Sequence, residues 1–212
     1  DPKKDQSYVL YHLTQEHLKH MLFPVGELEK PQVRAVAHEA GLGNADKLES
    51  QDICFVPDGD YASFIEEHTG ATFVPGPIVD EAGTVLGKHN GLVHYTIGQR
   101  KGLGVAAGHP LFVLKKDAKT NTLVVGPAAS AGVHEVVAND VNLISVAEIT
   151  EPLTVEVKVN YRATPRKAVV RMEGEKLIAT FEEPVRAVAP GQAMVLYQGD
   201  VVVGGGTIES AR

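Results

Sequence analysis

The sequence of 212 residues has no tryptophan, a single cysteine and no initiating methionine. One thiol cannot form a disulfide within the chain, so a reducing cytoplasm is the predicted compartment. No apolar run approaches the roughly 20 residues of a membrane-spanning helix, which argues against a membrane protein. The start at Asp1 predicts a truncated or proteolysed piece of a longer protein, from which groups needed for activity are missing.

Positive charge is also scarce. Lysine and arginine together number 20 against 27 acidic residues, which gives a net charge of −7. This balance argues against a protein that holds nucleic acid through its overall positive potential, so any RNA contact has to be local. The basic residues form small clusters: Lys3 with Lys4, Arg100 with Lys101, Lys115 with Lys116, and Arg162 with Arg166 and Lys167.

Apolar residues at helical spacing predict a helical start. Residues 5–22 form a first helical stretch, and a second helix runs from Pro31 to Gly41, started by proline and stopped by glycine. Asp60 is a candidate N-cap for a brief helix over residues 61–68. Between these helices, residues 53–56 are a short apolar run typical of a buried strand.

From about residue 73 the pattern changes to short β-strands separated by glycine, asparagine and aspartate. Residues 80–83 and 117–121 are predicted to turn two hairpins, and residues 92–97 are predicted to form a strand. A later set of strands, from Val141 to Ile208, has the spacing of an antiparallel barrel or sandwich.

The predicted fold class is therefore mainly β with a helical N-terminal segment. We expect a small β-rich central domain over residues 57–132 and an antiparallel β-barrel over residues 133–212, preceded by the helical residues 1–56. The boundary between the two β parts is placed near Gly132.

Cys54 is the one thiol that could act as a nucleophile or carry sulfur, provided that its thiolate is accessible. Its apolar neighbours Ile53 and Phe55 favour an inert core residue instead. Strand alternation would place Cys54 on the same side as Asp52, opposite that apolar pair. Local sequence leaves both interpretations open, with the inert residue ahead.

The loop at residues 98–104 gathers Arg100, Lys101, an amide and three glycines after a predicted strand. Glycines allow the backbone to approach a phosphate, so this loop is a candidate RNA-backbone contact. A solvated charged hairpin explains the same composition equally well.

Two further features favour structural explanations. Three consecutive glycines, 204–206, lie inside a β pattern, where close strand packing or a bulge accounts for them. His17 and His20 have near-ligand spacing on a predicted helix, but no other cysteine and no paired carboxylates accompany them, so no metal site is predicted.

Five strings in register resemble one family, the tRNA-specific 2-thiouridylases. The resemblance extends over nearly the whole chain, and it rests on the combination of strings rather than on any single one. They are KDQSY at residues 4–8, LFPVGEL at 22–28, SQDICF at 50–55, YTIGQRKGLG at 95–104 and PGQ at 190–192.

The resemblance implies a sulfurtransferase that makes 2-thiouridine at the wobble position, 34, of tRNA. An N-terminal domain with a Ser-Gly-Gly-x-Asp-Ser loop binds ATP in that family, and neither the loop nor a second family cysteine is in this sequence. Residues 1–56 then correspond to the end of that catalytic domain. Cys54 would receive sulfur from a relay protein as a persulfide, and the second cysteine would close a disulfide with it as the sulfur leaves.

The same comparison implies tRNA contacts rather than DNA contacts. The matching positions are Lys4, Asp5, Gln6, Asn160, Tyr161 and Gln192, to which the loop residues Arg100 and Lys101 are added. Asn160 departs from the arginine found in many members, and an amide can hydrogen-bond a phosphate but cannot neutralise it. Whether Arg162 substitutes for that charge is left open.

Two other classes remain as alternatives. In one, the chain is a non-catalytic RNA-binding β module with a structural, unreactive Cys54. In the other, the barrel binds the sulfur donor and not tRNA. If the chain is part of a 2-thiouridylase, as the resemblance implies, the isolated chain is expected to show no thiolation activity, because it lacks the ATP site.

Overall fold

The computed structural model describes residues 1–47, Val56 and residues 60–212. Its described α-helices are short and lie before residue 70. A 3₁₀ helix, Ser7–Leu10, precedes α1 (Gln15–Lys19), α2 (Lys30–Glu39) and α3 (Tyr61–Thr69). Within this part of the chain, no helix is long and apolar enough to cross a membrane.

Local capping explains where the helices begin. Asp60 accepts a hydrogen bond from the Ser63 backbone, which confirms the predicted N-cap of α3. The predicted helix after Pro31 is also confirmed as α2. The helical stretch predicted over residues 5–22 is wrong as one continuous helix, because extended backbone at Thr14 separates the 3₁₀ helix from α1.

Ten strands follow in two sheets. The strands of the first sheet are β1 (Gly76–Val79), β2 (Val85–His89), β3 (Phe112–Asp117) and β4 (Thr122–Gly126). Those of the second are β5 (Gly132–Leu143), β6 (Leu153–Lys158), β7 (Arg166–Glu173), β8 (Lys176–Arg186), β9 (Ala193–Gln198) and β10 (Val201–Ala211).

The first sheet has the order β2-β1-β4-β3, in which only the β1–β4 pair is parallel. Both predicted hairpins are confirmed: Asp80 closes the β1–β2 turn by accepting from the Ala82 and Thr84 backbones, and the Asp117 side chain caps the β3–β4 turn. The core of this sheet contains the fully buried Ile78 and Leu123.

The strand predicted over residues 92–97 is wrong. Leu92–His94 forms a 3₁₀ turn instead, after Gly91 turns the chain at φ +130°. The fully buried His89 ring holds this turn, because its Nδ1 accepts from the Gly91 backbone and its Nε2 lies 2.9 Å from the Asn121 carbonyl oxygen.

The second sheet closes into an antiparallel barrel in the order β10-β5-β8-β7-β6-β9, which confirms the predicted fold class. Its interior is aliphatic, as expected for a small barrel filled by side chains. Residues that are almost completely buried there are Val136, Val170, Leu177, Met194, Leu196 and Ile208.

The N-terminal residues pack on the outside of this barrel. We call residues 4–15 the docking segment. Tyr8 and Tyr11 from this segment join the outward-facing Val195 and Tyr197 of β9 in a separate apolar cluster. Asn142 of β5 fixes the segment further, since its Nδ2 donates to the carbonyl oxygens of Tyr11 and Leu13.

The glycine run on β10 provides the space for this packing. A Cβ atom placed at Gly205 would lie 2.9 Å from Cδ2 of Tyr11, and one at Gly206 would lie 2.6 Å from the Asn139 carbonyl oxygen. The predicted close packing at residues 204–206 is therefore confirmed, and the partner is the docking segment as well as the neighbouring strands.

Candidate functional site

The docking segment brings two of the predicted tRNA-contacting positions together. Gln6 Nε2 donates a 2.9 Å hydrogen bond to the hydroxyl oxygen of Tyr161, although 155 residues separate them in sequence. The rings of Tyr8 and Tyr161 meet edge to face, with centroids 5.9 Å apart. Tyr161 remains 44% exposed, so its ring and hydroxyl stay accessible from solvent.

Asp5 shapes the segment from within. Its carboxylate accepts hydrogen bonds from the Ser7 backbone at 2.9 Å and from the Ser7 hydroxyl at 2.7 Å. This turn precedes Tyr8, whose hydroxyl donates a 2.7 Å hydrogen bond to the Ala193 carbonyl oxygen. Asp5 therefore has a structural task in the segment, in addition to any contact that its exposed position permits.

Gln192 lies next to Ala193, which accepts the Tyr8 hydrogen bond, in the loop that connects β8 to β9. The loop is fixed by its backbone: Gln192 N donates to the Ala189 carbonyl oxygen, and the Gln192 carbonyl oxygen accepts from Ile208. The side chain of Gln192 is exposed. The predicted residues Gln6, Tyr161 and Gln192 are thus carried by three segments that meet around Tyr8.

Asn160 is directed towards the protein backbone. Its Nδ2 lies 3.4 Å from the Ala187 carbonyl oxygen and its Oδ1 accepts a 3.1 Å hydrogen bond from the Arg162 backbone. The amide links the loop after β6 to the β8–β9 loop. Arg162 itself is exposed, and it meets Asn160 through its backbone N–H.

The loop with Arg100 and Lys101 approaches the β8–β9 loop from the other side. Backbone at Gly98 comes so close to Ala187 that an added Cβ would lie 2.9 Å from the Ala187 Cβ. Gln99 shapes this loop, because its side chain accepts from the Thr96 backbone and donates to the Lys101 carbonyl oxygen. Both cationic side chains are exposed.

Lys4, Asp5 and Gln6 also line an open cleft of about 790 Å³. The opposite wall is formed by the predicted string at residues 22–28, where Leu22 is 87% and Phe23 51% exposed. Cys54, the predicted sulfur carrier, lies outside the described residues.

One predicted basic cluster is used for internal contacts. Lys116 Nζ donates a 2.7 Å hydrogen bond to the Tyr95 carbonyl oxygen, and Lys115 Nζ lies 3.5 Å from the Asp117 carboxylate. Burial lowers the pKa of Lys116. These two lysines border a cavity of about 740 Å³ between the first sheet and the barrel, whose lining includes neither Gln6 nor Tyr161.

The two paired histidines have local partners. His17 Nδ1 accepts from the Thr14 backbone in a capping box, and His20 Nδ1 lies 2.9 Å from the Glu16 carbonyl oxygen. Across residues 1–47, 56 and 60–212, no cluster of three or more histidine, cysteine or acidic side chains is arranged to hold a metal ion.

Two residues at the centre of the site escape sequence reasoning. The spacing of apolar residues places Tyr8 on a helix face, and no sequence pattern gives Lys158 a role. A signal for Tyr8 is present nevertheless, in the matched string at residues 4–8. No local signal identifies Lys158, because a lysine at the end of a β-strand is usually solvated.

Tyr8 makes the docking of the segment dependent on pH. Burial, together with the nearby Tyr11 and Tyr197, raises the pKa of Tyr8 to about 12 from its ordinary value of 10.0. The folded state therefore favours the protonated phenol. The contribution of protonated Tyr8 to the free energy of unfolding is complete below pH 10. It is lost as the pH rises from 10 to 12, by up to about 3 kcal/mol.

We expect Tyr8→Phe to reduce this alkaline loss of stability. Urea unfolding at pH 8 and at pH 11.5 should show a smaller difference for the variant than for the parent chain. At pH 8 the variant should be about 1 kcal/mol less stable, because the Ala193 carbonyl loses its donor. Tyr161→Phe, which removes an exposed hydroxyl, is the control, and an unchanged alkaline slope in Tyr8→Phe would contradict the assignment.

Comparison with known proteins gives matches along the whole chain. Three family models match in order: a tRNA methyl transferase HUP domain at residues 1–58, a tRNA methyl transferase PRC-barrel domain at 62–127 and an aminomethyltransferase beta-barrel domain at 133–208. The fold and site thus define a protein of the class that combines these three domain types.

Among curated relatives, the chain is 50% identical over 208 residues to the tRNA-specific 2-thiouridylase MnmA of Acetivibrio thermocellus, covering 98% of this chain and 58% of the relative. It is 47% identical over 210 residues to that of Clostridioides difficile, covering 99% and 58%. The chain therefore spans little more than half the length of these relatives. It belongs to the tRNA-specific 2-thiouridylase family.

Proposed function

We propose that this chain is the tRNA-contacting, sulfur-carrying part of a 2-thiouridylase that transfers persulfide sulfur to C2 of the uridine at position 34 of tRNA. The observation that carries the proposal is the Gln6–Tyr161 hydrogen bond. It joins two sets of predicted RNA contacts that lie 155 residues apart in the chain, next to Gln192 and the Ala187 loop. The names of the relatives supply the reaction and the RNA class.

The surface suits an acidic protein that has to bind RNA. With a net charge of −7, overall attraction to phosphate is unfavourable, so contacts depend on a few local groups. Lys4, Arg100 and Lys101 supply positive charge there, while Gln6, Tyr161 and Gln192 supply hydrogen-bonding groups. Phosphate contacts of this kind fix the register, and a single-stranded wobble base can then be presented to a pocket at modest cost.

We assign the sulfur chemistry to Cys54. A relay protein transfers sulfane sulfur to its thiolate, and the terminal sulfur of the persulfide attacks C2 of the uridine. ATP, bound by an N-terminal domain outside this chain, would transfer its adenylyl group to the C2 oxygen with release of pyrophosphate, and AMP then leaves as the carbon–sulfur bond forms. A second cysteine outside this chain then attacks the Cys54 sulfur, which releases the thiocarbonyl and forms a disulfide. An external dithiol returns the two electrons.

We also propose how the chain is divided. Residues 1–56 complete the catalytic domain, 57–132 form the central domain and 133–212 form the barrel. The two sheets and the start of β5 at Gly132 support this division. Because the ATP site belongs to the other part of the enzyme, the isolated chain should bind tRNA without thiolating it. We place the complete enzyme in the cytoplasm.

A double-mutant cycle on Gln6 and Tyr161 tests the proposed RNA surface. We expect Gln6→Ala and Tyr161→Ala each to weaken tRNA binding by about five- to thirtyfold, since each removes a directly contacting group or its partner. The double variant should lose less than the product of the two effects, because the two side chains act as a pair. Affinities are measured by fluorescence anisotropy with a labelled tRNA that carries uridine 34.

Gln198→Ala is the matched control. Gln198 is an exposed glutamine like Gln192, but it ends β9, whereas Gln192 immediately precedes that strand. It should leave tRNA affinity unchanged. Binding of a sulfur-relay protein without binding of tRNA would instead favour the donor-docking alternative. Equal affinity for tRNA of the parent chain, the two single variants and the double variant would refute the assigned surface.

A further inference from the structure

We propose that Lys158 is an additional RNA-binding residue and that its ammonium group contacts one backbone phosphate beside Tyr161. This inference rests on the proposed function, since it assigns a new residue to the same surface. It is carried by the position of the Lys158 side chain, which sequence comparison did not single out.

The ammonium group is placed between two aromatic rings. Lys158 is the last residue of β6, and its Nζ lies 5.4 Å from the ring centroid of Tyr8 and 5.7 Å from that of Tyr161. Both distances are within the range of cation–π attraction. Because Tyr8 is anchored to Ala193 and Tyr161 to Gln6, the rings hold the lysine side chain in one place.

The charge of Lys158 is not neutralised by the residues that the structure describes. Among them its side chain forms no ion pair and no hydrogen bond, not even with Glu156 on the same outward face of β6. By contrast, Lys176 and Lys19 lie 2.8 Å and 3.0 Å from carboxylates. Aromatic faces attract a cation without cancelling its charge, so the site presents a fixed positive charge to an incoming anion.

A second donor lies next to this charge. The hydroxyl oxygen of Tyr161 accepts the hydrogen bond from Gln6, which leaves the phenolic hydrogen to donate outwards. A fixed ammonium and an outward O–H together match the non-bridging oxygens of a phosphodiester. The exposed ring of Tyr161 adds a flat apolar surface, which favours a nucleotide over an inorganic anion.

The other candidates for this charge are less well placed. Asn160 cannot supply it, and its amide is already directed to the Ala187 carbonyl oxygen and the Arg162 backbone. Arg162 is exposed, and neither tyrosine ring of the site is among its described contacts. Lys158 therefore supplies the positive charge next to Tyr161.

The test is the salt dependence of tRNA binding by the 212-residue chain and its Lys158→Met variant. Methionine keeps most of the side-chain length and removes one charge. We expect affinity at about 0.1 M salt to fall five- to tenfold, and the slope of log affinity against log salt to fall by about 0.7 to 0.9, as for one lost phosphate contact. Lys158→Arg should restore both values.

Two further variants make the result specific. Lys119→Met removes an exposed lysine from the β3–β4 turn and should leave affinity and slope unchanged. Tyr161→Phe removes the hydroxyl and keeps the ring, so it should weaken binding without changing the slope. Thermal unfolding of each variant establishes that the barrel is intact.

A Lys158→Met chain that binds tRNA with the parent affinity and slope would overturn the inference while leaving the proposed function intact. A parent chain that does not bind tRNA would remove both together. Loss of affinity without loss of slope would show that Lys158 holds Tyr161 in place and does not contact phosphate, which also contradicts the proposal.

Discussion

Substitution of Gly205 by alanine should lower the free energy of unfolding by about 3 kcal/mol, near the upper end for overpacking a well-fitted site. The added Cβ would overlap the Met194 carbonyl oxygen on β9 and would lie 2.9 Å from the Tyr11 ring. Because the Met194 backbone lies on one side and the packed Tyr11 ring on the other, neither neighbour can move away to relieve the overlap. The melting temperature should fall by roughly 10 °C for a chain of this size.

The same substitution should release the docking segment. Tyr11 packs on Gly205 from outside the barrel, so its displacement exposes residues 4–15 to protease before the barrel itself unfolds. Gly108→Ala is the control, because a Cβ there meets nothing within 4 Å and the backbone is not left-handed. Its stability should stay within about 0.5 kcal/mol of the parent. Equal stability of the two variants would contradict the packing described at Gly205.

Replacement of Cys54 by alanine in the full-length enzyme should abolish tRNA thiolation. Alanine cannot hold a persulfide, so no sulfur is available to attack the activated carbon. The expected loss is at least about a thousandfold, comparable to the removal of other covalent nucleophiles. Thiolation is measured by the retarded migration of 2-thiouridine-containing tRNA in a mercury gel.

Two additional measurements separate this result from misfolding. The Cys54→Ala enzyme should still bind tRNA with unchanged affinity and still form AMP from ATP in the presence of tRNA. In the parent enzyme the Cys54 thiol should react readily with a labelling reagent near neutral pH, as a structural core thiol does not. Undiminished thiolation by the variant would return Cys54 to the inert role that its apolar neighbours favour.

The β architecture is predictable from the sequence because its signals are local. Turn residues such as Asp80 and Asp117 mark hairpins directly, and alternating apolar residues mark strands of a barrel. Prediction fails where a distant partner determines the local structure. Residues 92–97 have the composition of a strand, but the buried His89 ring and Gly91 fold them into a 3₁₀ turn.

The candidate site shows the same division. The family resemblance identifies Gln6 and Tyr161 as separate residues, but no sequence pattern around either one indicates that they are hydrogen-bonded across 155 residues. Lys158 carries no signal at all in sequence, since its significance comes from two rings that reach it from other segments. The packing of residues 4–15 on the barrel is hidden as well, because Tyr8 and Tyr11 resemble a helix face when only their spacing is considered.

The docking of residues 4–15 on β9 and β10 has a consequence for biosynthesis. Residues 4–15 are translated before their partners on β9 and β10, which follow nearly two hundred residues later. Tyr8 and Tyr11 therefore remain exposed until the barrel closes. Contacts of such long sequence separation form slowly. A nascent chain stalled before Val201 would lack β10, so the contacts of Tyr8 and Tyr11 with the closed barrel would not yet be assembled.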